Sequence, residues 1–278
     1  MTGEPIPLAG VIGAPVSHSR SPALHGYWLR KYRLKGYYIP IELGYDTFEQ
    51  GLRSLPLLGF HGVNITIPFK EKVLTLADVI TDRAALIGAA NTITFLKDGR
   101  IQADNTDGFG FIANIRQQAP DWDATVGPAM VLGAGGAARA IVSALLAEGA
   151  PSVRISNRTR NRADMLKEHF GGRVSVIEWS NAASEMQHAA TLVNATSLGM
   201  TGQPELTLNL DRLRPSTLVA EIVYSPLNTG LLQKAAERGC RTVDGLGMLL
   251  HQAVPGFENW FRVRPEVDIG LRQVVLNA

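Results

Sequence analysis

The sequence predicts an α/β protein. Short apolar or β-branched runs alternate along the chain with longer stretches whose apolar residues recur at helical spacing. Strands that alternate with helices predict a parallel sheet covered by helices on both faces. A glycine-rich turn at residues 133–137 lies between one predicted strand and one predicted helix, which is typical of a regular βα unit. The 278 residues suffice for two ordinary domains.

The N-terminal part of the chain, up to residue 106, is predicted to contain alternating strands and helices. Pro22 suits the first turn of a helix, and Pro68 is expected both to stop a strand and to start the next helix. The strands are predicted over residues 8–13, 37–42, 62–67, 92–96 and 100–104. The helices are predicted over residues 22–33, 47–55, 69–77 and 82–87.

From residue 107 onwards the alternation is more regular. Strands are predicted over residues 129–132, 152–156, 174–177, 191–195, 217–222 and 241–243, with helices between them. After Gly245 the chain is again helical and apolar, with Met248, Val254, Phe257 and Trp260 at helical spacing.

The composition excludes several classes of protein. A hydrophobic content of 45% and a mean hydropathy of +0.04 predict a soluble globular protein, and charges or glycines interrupt every apolar stretch before it could span a membrane. The first residues lack a basic region and a long apolar run, so no signal peptide is expected. The single cysteine excludes an internal disulfide and fits a cytoplasmic location. A net charge of +2 argues against nucleic-acid binding, and the six histidines lack metal-ligand spacing, so no metal is predicted.

Two short motifs contain residues suited to proton transfer. Lys70 closes the run Asn64-Ile-Thr-Ile-Pro-Phe-Lys, where Pro68 is expected to place it at a strand-to-helix junction. Asp107 lies near the start of the next predicted helix, where the helix dipole favours a carboxylate. Taken singly, the motifs are equally consistent with a helix cap and a surface lysine. Together they supply the cationic donor and the carboxylate that interconversion of a carbonyl and an alcohol requires.

A third motif, Ser-His-Ser-Arg-Ser-Pro at residues 17–22, suits a small carboxylate. Ser19 and Ser21 alternate in a segment that is expected to be extended, because Pro22 disfavours a helical conformation at the residue before it. Two hydroxyls on one side, with a helix N-terminus behind them, form a suitable cradle. The alternative interpretation is a serine-rich helix start in which the hydroxyls are caps.

The glycine-rich turn has the dinucleotide-binding pattern G-x-G-x-x-G/A, with Ala138 at its third position. Gly133 permits the tight turn, Gly135 lets a pyrophosphate approach the backbone, and the following helix N-terminus supplies N–H donors. The residues assigned to cofactor binding here are Gly133, Ala134, Gly135, Gly136 and Ala137.

The end of the second strand of this unit favours NADP over NAD. An NAD enzyme usually carries an acid about 20 residues past the turn, but here the first carboxylate is Asp164, inside the next predicted helix. Guanidinium groups suit the 2′-phosphate because they bind it with a planar fork of donors. The alternative interpretation of these arginines is a basic loop that is merely exposed to solvent. The residues assigned to the cofactor are Asn157, Arg158, Thr159 and Arg162, with Arg160 as an additional basic residue.

In their order and spacing these motifs resemble those of the shikimate dehydrogenase family. The resemblance extends from about Leu8 to Gln252 and includes four more motifs. These are Gly88-Ala-Ala-Asn91-Thr92, Asn194-Ala-Thr-Ser197, Tyr224-x-Pro226-x-x-Thr229 and Gly245-Leu-Gly-Met248-x-x-x-Gln252. The chain departs from the family pattern at Gly26, where asparagine is frequent, and at Glu221, where aspartate is more usual.

The resemblance implies NADPH-dependent, reversible reduction of 3-dehydroshikimate to shikimate, a step of chorismate and aromatic amino-acid biosynthesis. It also implies an N-terminal α/β substrate-binding domain (1–106), completed by C-terminal helices (246–278), and a Rossmann NADP-binding domain (107–245). Lys70 and Asp107 are then the catalytic residues. The residues leave open whether Lys70 transfers the proton itself or only stabilises charge.

The resemblance assigns the other matched residues to ligands. The substrate-binding residues are Ser19, Ser21, Asn64, Thr66, Asn91, Tyr224 and Gln252. Thr196, Ile222 and Gly245 join the cofactor-binding residues.

Two alternatives stay open at this point. The chain could be a quinate/shikimate dehydrogenase paralogue that uses NAD, although the arginines oppose NAD. It could also be a noncatalytic NADP-binding regulator, although such a protein has no need to retain both Lys70 and Asp107. Either a monomer or a homodimer is consistent with the sequence, with a small-molecule substrate and neither nucleic acid nor membrane as partner.

Overall fold

The computed structural model describes residues 6–278, which form two compact units. One unit extends from the N-terminal end of the described residues to Thr106 and includes Leu250–Ala278; the other is Asp107–Leu249. The sequence predicts the second boundary after residue 245, whereas the units divide four residues later, inside a helix. The predicted absence of a signal peptide concerns residues 1–5, which lie outside the described residues. Within residues 6–278, no helix combines the length and the apolar character that a membrane crossing requires.

The first unit is built on a six-stranded sheet. Its strands are β1 (Leu8–Gly13), β2 (Tyr37–Glu42), β3 (Phe60–Ile65), β4 (Val79–Ile80), β5 (Thr92–Phe95) and β6 (Ile101–Asp104). The helices that alternate with them are α1 (Ser21–Lys31), α2 (Phe48–Ser54) and α3 (Asp82–Ile87), with 3₁₀ turns at Leu55–Leu58 and Lys72–Leu76. The two-residue strand β4 is too short to give a periodic signal in the sequence.

The prediction of a parallel sheet is wrong for part of this unit. The strand order is β2-β1-β3-β5-β6-β4, and β5 runs antiparallel to both β3 and β6. The reason is the short connection between β5 and β6, since a parallel pair needs a crossover of a dozen or more residues. The connection is a hairpin closed by the hydrogen bond from Leu96 N to Arg100 O, with Gly99 in the left-handed region at φ 86°.

The helix predicted over residues 69–77 is also wrong. Pro68 does not start a helix; it lies in a turn, and the 3₁₀ turn begins only at Lys72. The backbone N–H of Phe69 donates to Thr66 O (3.0 Å), and the carbonyl of Lys70 accepts from Ala90 N (2.8 Å). Neither of these two hydrogen bonds belongs to a helix, so Lys70 lies in a loop.

The second unit has the architecture that its glycine-rich turn predicts, except that residues 195–217, all within the described part of the chain, contain no helix. Its strands are β7 (Ala129–Leu132), β8 (Val153–Ser156), β9 (Val174–Ile177), β10 (Thr191–Asn194), β11 (Leu218–Glu221) and β12 (Arg241–Val243). Its helices are α4 (Asp107–Gln118), α5 (Gly136–Ala147), α6 (Arg160–Phe170), α7 (Ala182–Glu185) and α8 (Gly230–Glu237). All strand pairs are parallel, in the order β12-β11-β10-β7-β8-β9. The order reverses between β7 and β10, the position at which ligands bind in such sheets.

The C-terminal helices α9 (Leu246–Phe261) and α10 (Ile269–Leu276) bring the chain back to the first unit. The indole Nε1 of Trp260 donates to Ile93 O (3.0 Å) across Gly62, which lacks the side chain that would block this approach. The indole Nε1 of Trp28 donates to Glu266 O (2.8 Å). Both tryptophans are buried, so this last segment completes the core of the first unit.

Candidate active site

A buried hydrogen-bond network in the first unit surrounds Asn64, near the end of β3. The side-chain Nδ2 of Asn64 donates to Asn91 O (3.1 Å) and to Thr92 Oγ1 (3.3 Å), and its Oδ1 accepts from the hydroxyl of Tyr38 (2.7 Å). A backbone carbonyl only accepts, so these partners fix which end of the amide is Nδ2. The network therefore sets the orientation of the Asn64 side chain, which is predicted to bind the substrate.

Asn91 extends this network to two other parts of the first unit. Its Oδ1 accepts from both the backbone N–H (2.9 Å) and the hydroxyl (3.1 Å) of Thr106. Its Nδ2 donates to Oε1 of Gln252 in α9 (3.1 Å). The structure thus connects Asn64, Asn91 and Gln252, which are far apart in the sequence. Thr66 follows directly after β3, half-buried, with its backbone N–H bonded to Ile12 O (2.9 Å).

Both predicted catalytic residues adjoin this network through the backbone. The carbonyl of Lys70 accepts from the N–H of Ala90, the residue before Asn91, and the side chain of Lys70 is partly exposed. Asp107 is buried, is the first residue of α4, and follows Thr106, whose N–H is held by Asn91. A carboxylate in the first turn is stabilised by the unbonded N–H groups there.

The two serines occupy a helix start rather than the predicted extended segment. Ser21 is the first residue of α1, and Arg20 before it has helical torsion angles. The Oγ of Ser19 accepts from the N–H of Ser21 (3.3 Å), so Ser19 acts as a local cap. Pro22 lies within the first turn of α1, where its missing N–H breaks no helical hydrogen bond. The preference of proline for this position outweighs its tendency to keep the preceding residue extended. Ser19 is half-buried and Ser21 is buried.

The glycine-rich turn of the second unit fits a dinucleotide. Gly133 is in the left-handed region at φ 113°, and a side chain there would also crowd Ala195 O at 2.8 Å. In contrast, side chains added at Gly135 and Gly136 would meet no atom within 4 Å. Open space therefore faces the N-terminal N–H groups of α5, where a pyrophosphate is favoured. Ala134, Ala137 and the buried Ala138 complete the turn.

The loop after β8 carries the basic residues that are predicted to distinguish the two nicotinamide cofactors. Nδ2 of Asn157 donates to Thr159 O (2.8 Å), which closes the loop. Arg158 and Arg162 are exposed. Arg160 forms ion pairs with Asp164 and Glu178, so its guanidinium already has protein partners. This difference separates Arg160 from the two arginines that are predicted to bind a 2′-phosphate.

Replacing Arg158 with glutamine is expected to raise the KM for NADP about 10- to 150-fold, since a hydrogen bond to a charged group contributes about 1.5–3 kcal/mol. Steady-state kinetics at saturating shikimate measures the change. Arg160→Gln is the matched control, because it removes the same charge from an arginine that is already ion-paired, and its effect should be smaller. Equal catalytic efficiency of the unmodified protein with NADP and NAD would contradict the assignment.

A second polar network lies at the carboxyl ends of β10 and β11. Oδ1 of Asn194 accepts from the N–H (3.1 Å) and hydroxyl (2.7 Å) of Thr196, and its Nδ2 donates to the Glu221 carboxylate (3.0 Å). That carboxylate also accepts from Ile222 N (2.9 Å) and from the hydroxyl of Thr229 (3.1 Å). Burial raises the pKa of Glu221, although these donors oppose the rise.

The structure brings together the cofactor-binding residues predicted at this edge. A side chain at Gly245 would overlap the backbone of Ile222 and Val223, so glycine permits the close approach of the two loops. Thr196 and Ile222 are joined through Asn194 and Glu221. Tyr224 follows two residues later and is half-buried.

Besides Thr92, Thr106, Asn194 and Thr229, two residues of these networks, Glu221 and Tyr38, are not among the predicted site residues. In the sequence Glu221 stands out only as a departure from the family pattern, and Tyr38 lies on an edge strand with no motif around it. The sequence offers one signal for Glu221. It is an acid at the end of an otherwise apolar strand, and the neighbouring strand ends in asparagine. Nothing local in the sequence distinguishes Tyr38 from its neighbour Tyr37.

Comparisons with known proteins agree with this arrangement. A model of the shikimate dehydrogenase substrate-binding domain matches residues 11–93, and a model of shikimate/quinate 5-dehydrogenase matches residues 116–201. The chain is 62% identical to shikimate dehydrogenase (NADP(+)) from Jannaschia sp. (strain CCS1) over 276 residues, which cover 99% of both chains.

Solved structures with similar folds include two that were determined with ligands. Shikimate 5-dehydrogenase from Thermus thermophilus, in complex with NADP(H) and shikimate, has a TM-score of 0.86 and 33% identity, covering 97% of this chain and 98% of that one. Quinate dehydrogenase from Corynebacterium glutamicum, in complex with NAD, has a TM-score of 0.89 and 30% identity, with coverage of 98% and 99%. With both domain models matched in order and a relative alike along its whole length, the chain belongs to the shikimate dehydrogenase family.

Proposed function

We propose that this chain catalyses the reversible, NADPH-dependent reduction of 3-dehydroshikimate to shikimate in the pathway to chorismate and the aromatic amino acids. The observation that carries the proposal is the 62% identity, over 99% of both chains, to a relative named for NADP-dependent shikimate dehydrogenase activity. The aligned region extends over both units, so it covers the positions of the glycine-rich turn and of the two motifs that contain Lys70 and Asp107.

The second unit supplies the cofactor site in this proposal. Backbone N–H groups at the start of α5 bind the pyrophosphate, and the loop after β8 binds the 2′-phosphate of the adenosine half. Thr196, Ile222 and Gly245 line the nicotinamide half, held by the Asn194–Glu221 network. NADPH, when bound, supplies the hydride that reduces the ring carbonyl carbon.

Lys70 and Asp107 manage the proton in this proposal. As hydride reaches the carbonyl carbon, negative charge develops on the oxygen, and an ammonium group beside it both stabilises that charge and can deliver the proton. The Asp107 carboxylate accepts a hydrogen bond from the substrate hydroxyl. The backbone bonds of Ala90 and Thr106 support this arrangement, because they fix the chain at both catalytic residues.

The remaining predicted residues bind shikimate in this proposal. Ser19 and Ser21 hold the carboxylate; the ring hydroxyls are held by Asn64, Thr66, Asn91, Tyr224 and Gln252. Mutual hydrogen bonds between Asn64, Asn91 and Gln252 restrict their motion, and such restriction lowers the entropy lost when a ligand binds.

The double substitution Ser19→Ala with Ser21→Ala is expected to weaken shikimate binding about tenfold or more, because each hydroxyl donates to a charged group. Affinity for NADP should be nearly unchanged, since the serines belong to the first unit. Titration of the folded variant with each ligand measures both affinities, and exposed Ser17→Ala is the matched control. If shikimate affinity survives the double change, the serines are only helix caps.

One assay tests the function directly: NADP reduction by shikimate, run beside quinate as substrate and NAD as cofactor. The proposal expects the shikimate–NADP pair to give the highest kcat/KM. Quinate dehydrogenase activity is the second candidate, because a quinate dehydrogenase with bound NAD is among the similar structures, at 30% identity. A higher kcat/KM with quinate and NAD would favour that candidate. Absence of turnover with every pair would favour a noncatalytic NADP-binding protein.

A further inference from the structure

Tyr38 is an inward-facing residue on the edge strand of the first sheet. β2 is the outermost strand, and its side chains alternate between the two faces. Tyr38 is buried at 7% exposure, whereas Tyr37 and Ile39 on either side of it are 60% and 44% exposed. A buried tyrosine requires a partner for its hydroxyl, and the position of that partner shows what the residue holds in place.

The ring of Tyr38 is fixed by an aromatic cluster. It stacks on the imidazole of His25 with ring centroids 3.8 Å apart and an interplanar angle of 3°, and the centroid of the Trp260 ring is 6.2 Å away. Burial lowers the pKa of His25 to about 3, so its imidazole is neutral at any pH of interest. The ring of Tyr38 is therefore held by packing, independently of its hydroxyl group.

The hydroxyl of Tyr38 is bonded to a residue that the proposed function assigns to the ring hydroxyls of the substrate. It donates to Oδ1 of Asn64 (2.7 Å). A tyrosine hydroxyl has one proton, so this bond uses the only donor of Tyr38.

We propose that Tyr38 is a positioning residue for the substrate, one whose hydroxyl holds Asn64, the ring-hydroxyl ligand, in the orientation that shikimate requires. The inference rests on the proposed function for the role of Asn64. Both Nδ2 protons of Asn64 are already bonded to Asn91 O and Thr92 Oγ1, which leaves a free lone pair of Oδ1 to accept a ring hydroxyl. The bond from Tyr38 sets the direction of that lone pair.

Substitution of Tyr38 with phenylalanine tests the role of the hydroxyl and preserves the ring that stacks on His25. Tyr38→Phe is expected to raise the KM for shikimate about 3- to 10-fold, because the hydrogen bond that orders Asn64 is lost. The kcat should change by less than about threefold, and the KM for NADP should not change. Tyr37→Phe removes the same hydroxyl group from the exposed neighbour and should leave all three parameters at parental values.

A double-mutant cycle identifies the partner through which Tyr38 acts. Combined with Asn64→Ala, the Tyr38→Phe change should raise the shikimate KM by a smaller factor than it does in the parent. Thermal unfolding of each variant checks the fold, and the kinetics are measured at a temperature at which every variant is folded. Equal factors in both backgrounds would overturn the inference.

The two failures are distinguishable. A parent protein that does not reduce NADP with shikimate refutes the proposed function, whatever the variants do. An active parent whose Tyr38→Phe variant has the same shikimate KM as Tyr37→Phe refutes the positioning role alone. A parallel fall in kcat and rise in both KM values would mean that the hydroxyl serves only the general stability of the first unit, and this result also overturns the inference.

Discussion

Replacing Lys70 with alanine is expected to lower kcat about 10²- to 10⁴-fold, the usual range for a positioned acid or base. At 1.36 kcal/mol for each factor of ten, the loss is about 3–5 kcal/mol of transition-state stabilisation. The KM for shikimate should change much less, because ground-state binding is distributed over several hydroxyl contacts, whereas Lys70 acts where charge changes during the reaction. Steady-state kinetics on the folded variant provides the measurement.

Lys72 is the matched control for this experiment. It is two residues away and has the same charge, but its Nζ donates to Tyr45 O (2.7 Å) and lies 3.7 Å from the centroid of the Tyr45 ring. Lys72→Ala should therefore leave kcat near the parental value. If Lys70→Ala also keeps kcat within a few-fold of the parent, Lys70 is not the catalytic residue and the proposed mechanism is wrong.

Asp107→Asn extends the same test to the second catalytic residue. It should lower kcat and also raise the KM for shikimate, because its carboxylate is proposed to contact the substrate. Combined with Lys70→Ala, it should lose less than the sum of the two single losses, since each residue positions the other. Strict additivity would mean that the two side chains act independently.

Replacing Gly62 with alanine is expected to destabilise the first unit by about 3 kcal/mol or more, one of the larger effects for a single methyl group. The added carbon would overlap both the indole Nε1 of Trp260 and the carbonyl of Ile93. One of these is backbone in the middle of a sheet, so it cannot move aside cheaply. The substitution would also break the hydrogen bond by which α9 is attached to β5.

Chemical denaturation followed by circular dichroism measures this loss, and Gly44→Ala is the control. Gly44 is an exposed glycine of the same unit, and a side chain there would meet only Thr47 Oγ1, at an ordinary 3.5 Å. Its variant should unfold with nearly the parental midpoint. A Gly62→Ala protein as stable as Gly44→Ala would show that Trp260 is free to move away from the sheet.

The second unit was predictable from the sequence because its structure depends on local signals. The turn that begins at Gly133 needs a left-handed glycine, a strand before it and a helix after it, and all three are visible within a dozen residues. The central strand β7 is apolar throughout, so its limits are also clear.

The first unit was less predictable because distant partners decide its local structure. Lys70 lies in a loop because Ala90 binds its carbonyl, and no property of residues 64–70 indicates that contact. Ser21 is helical because Pro22 lies in the first turn of α1. This placement outweighs the tendency of a proline to keep the preceding residue extended. The same reason applies to Tyr38, whose partner Asn64 lies 26 residues away in sequence, since the number of candidate pairs at such a separation is too large for a pattern to select one.

Because α9 and α10 return the chain to the first unit, the two units become complete at different times during translation. All the strands of the second unit emerge one after another, so that unit can fold as soon as its last segment leaves the exit tunnel. The sheet of the first unit is synthesised earlier, but Gly62 and Ile93 stay uncovered until Trp260 arrives near the end of translation. The half that is made first is thus the half that matures last, and a prematurely terminated chain would carry a finished cofactor domain beside an open apolar sheet.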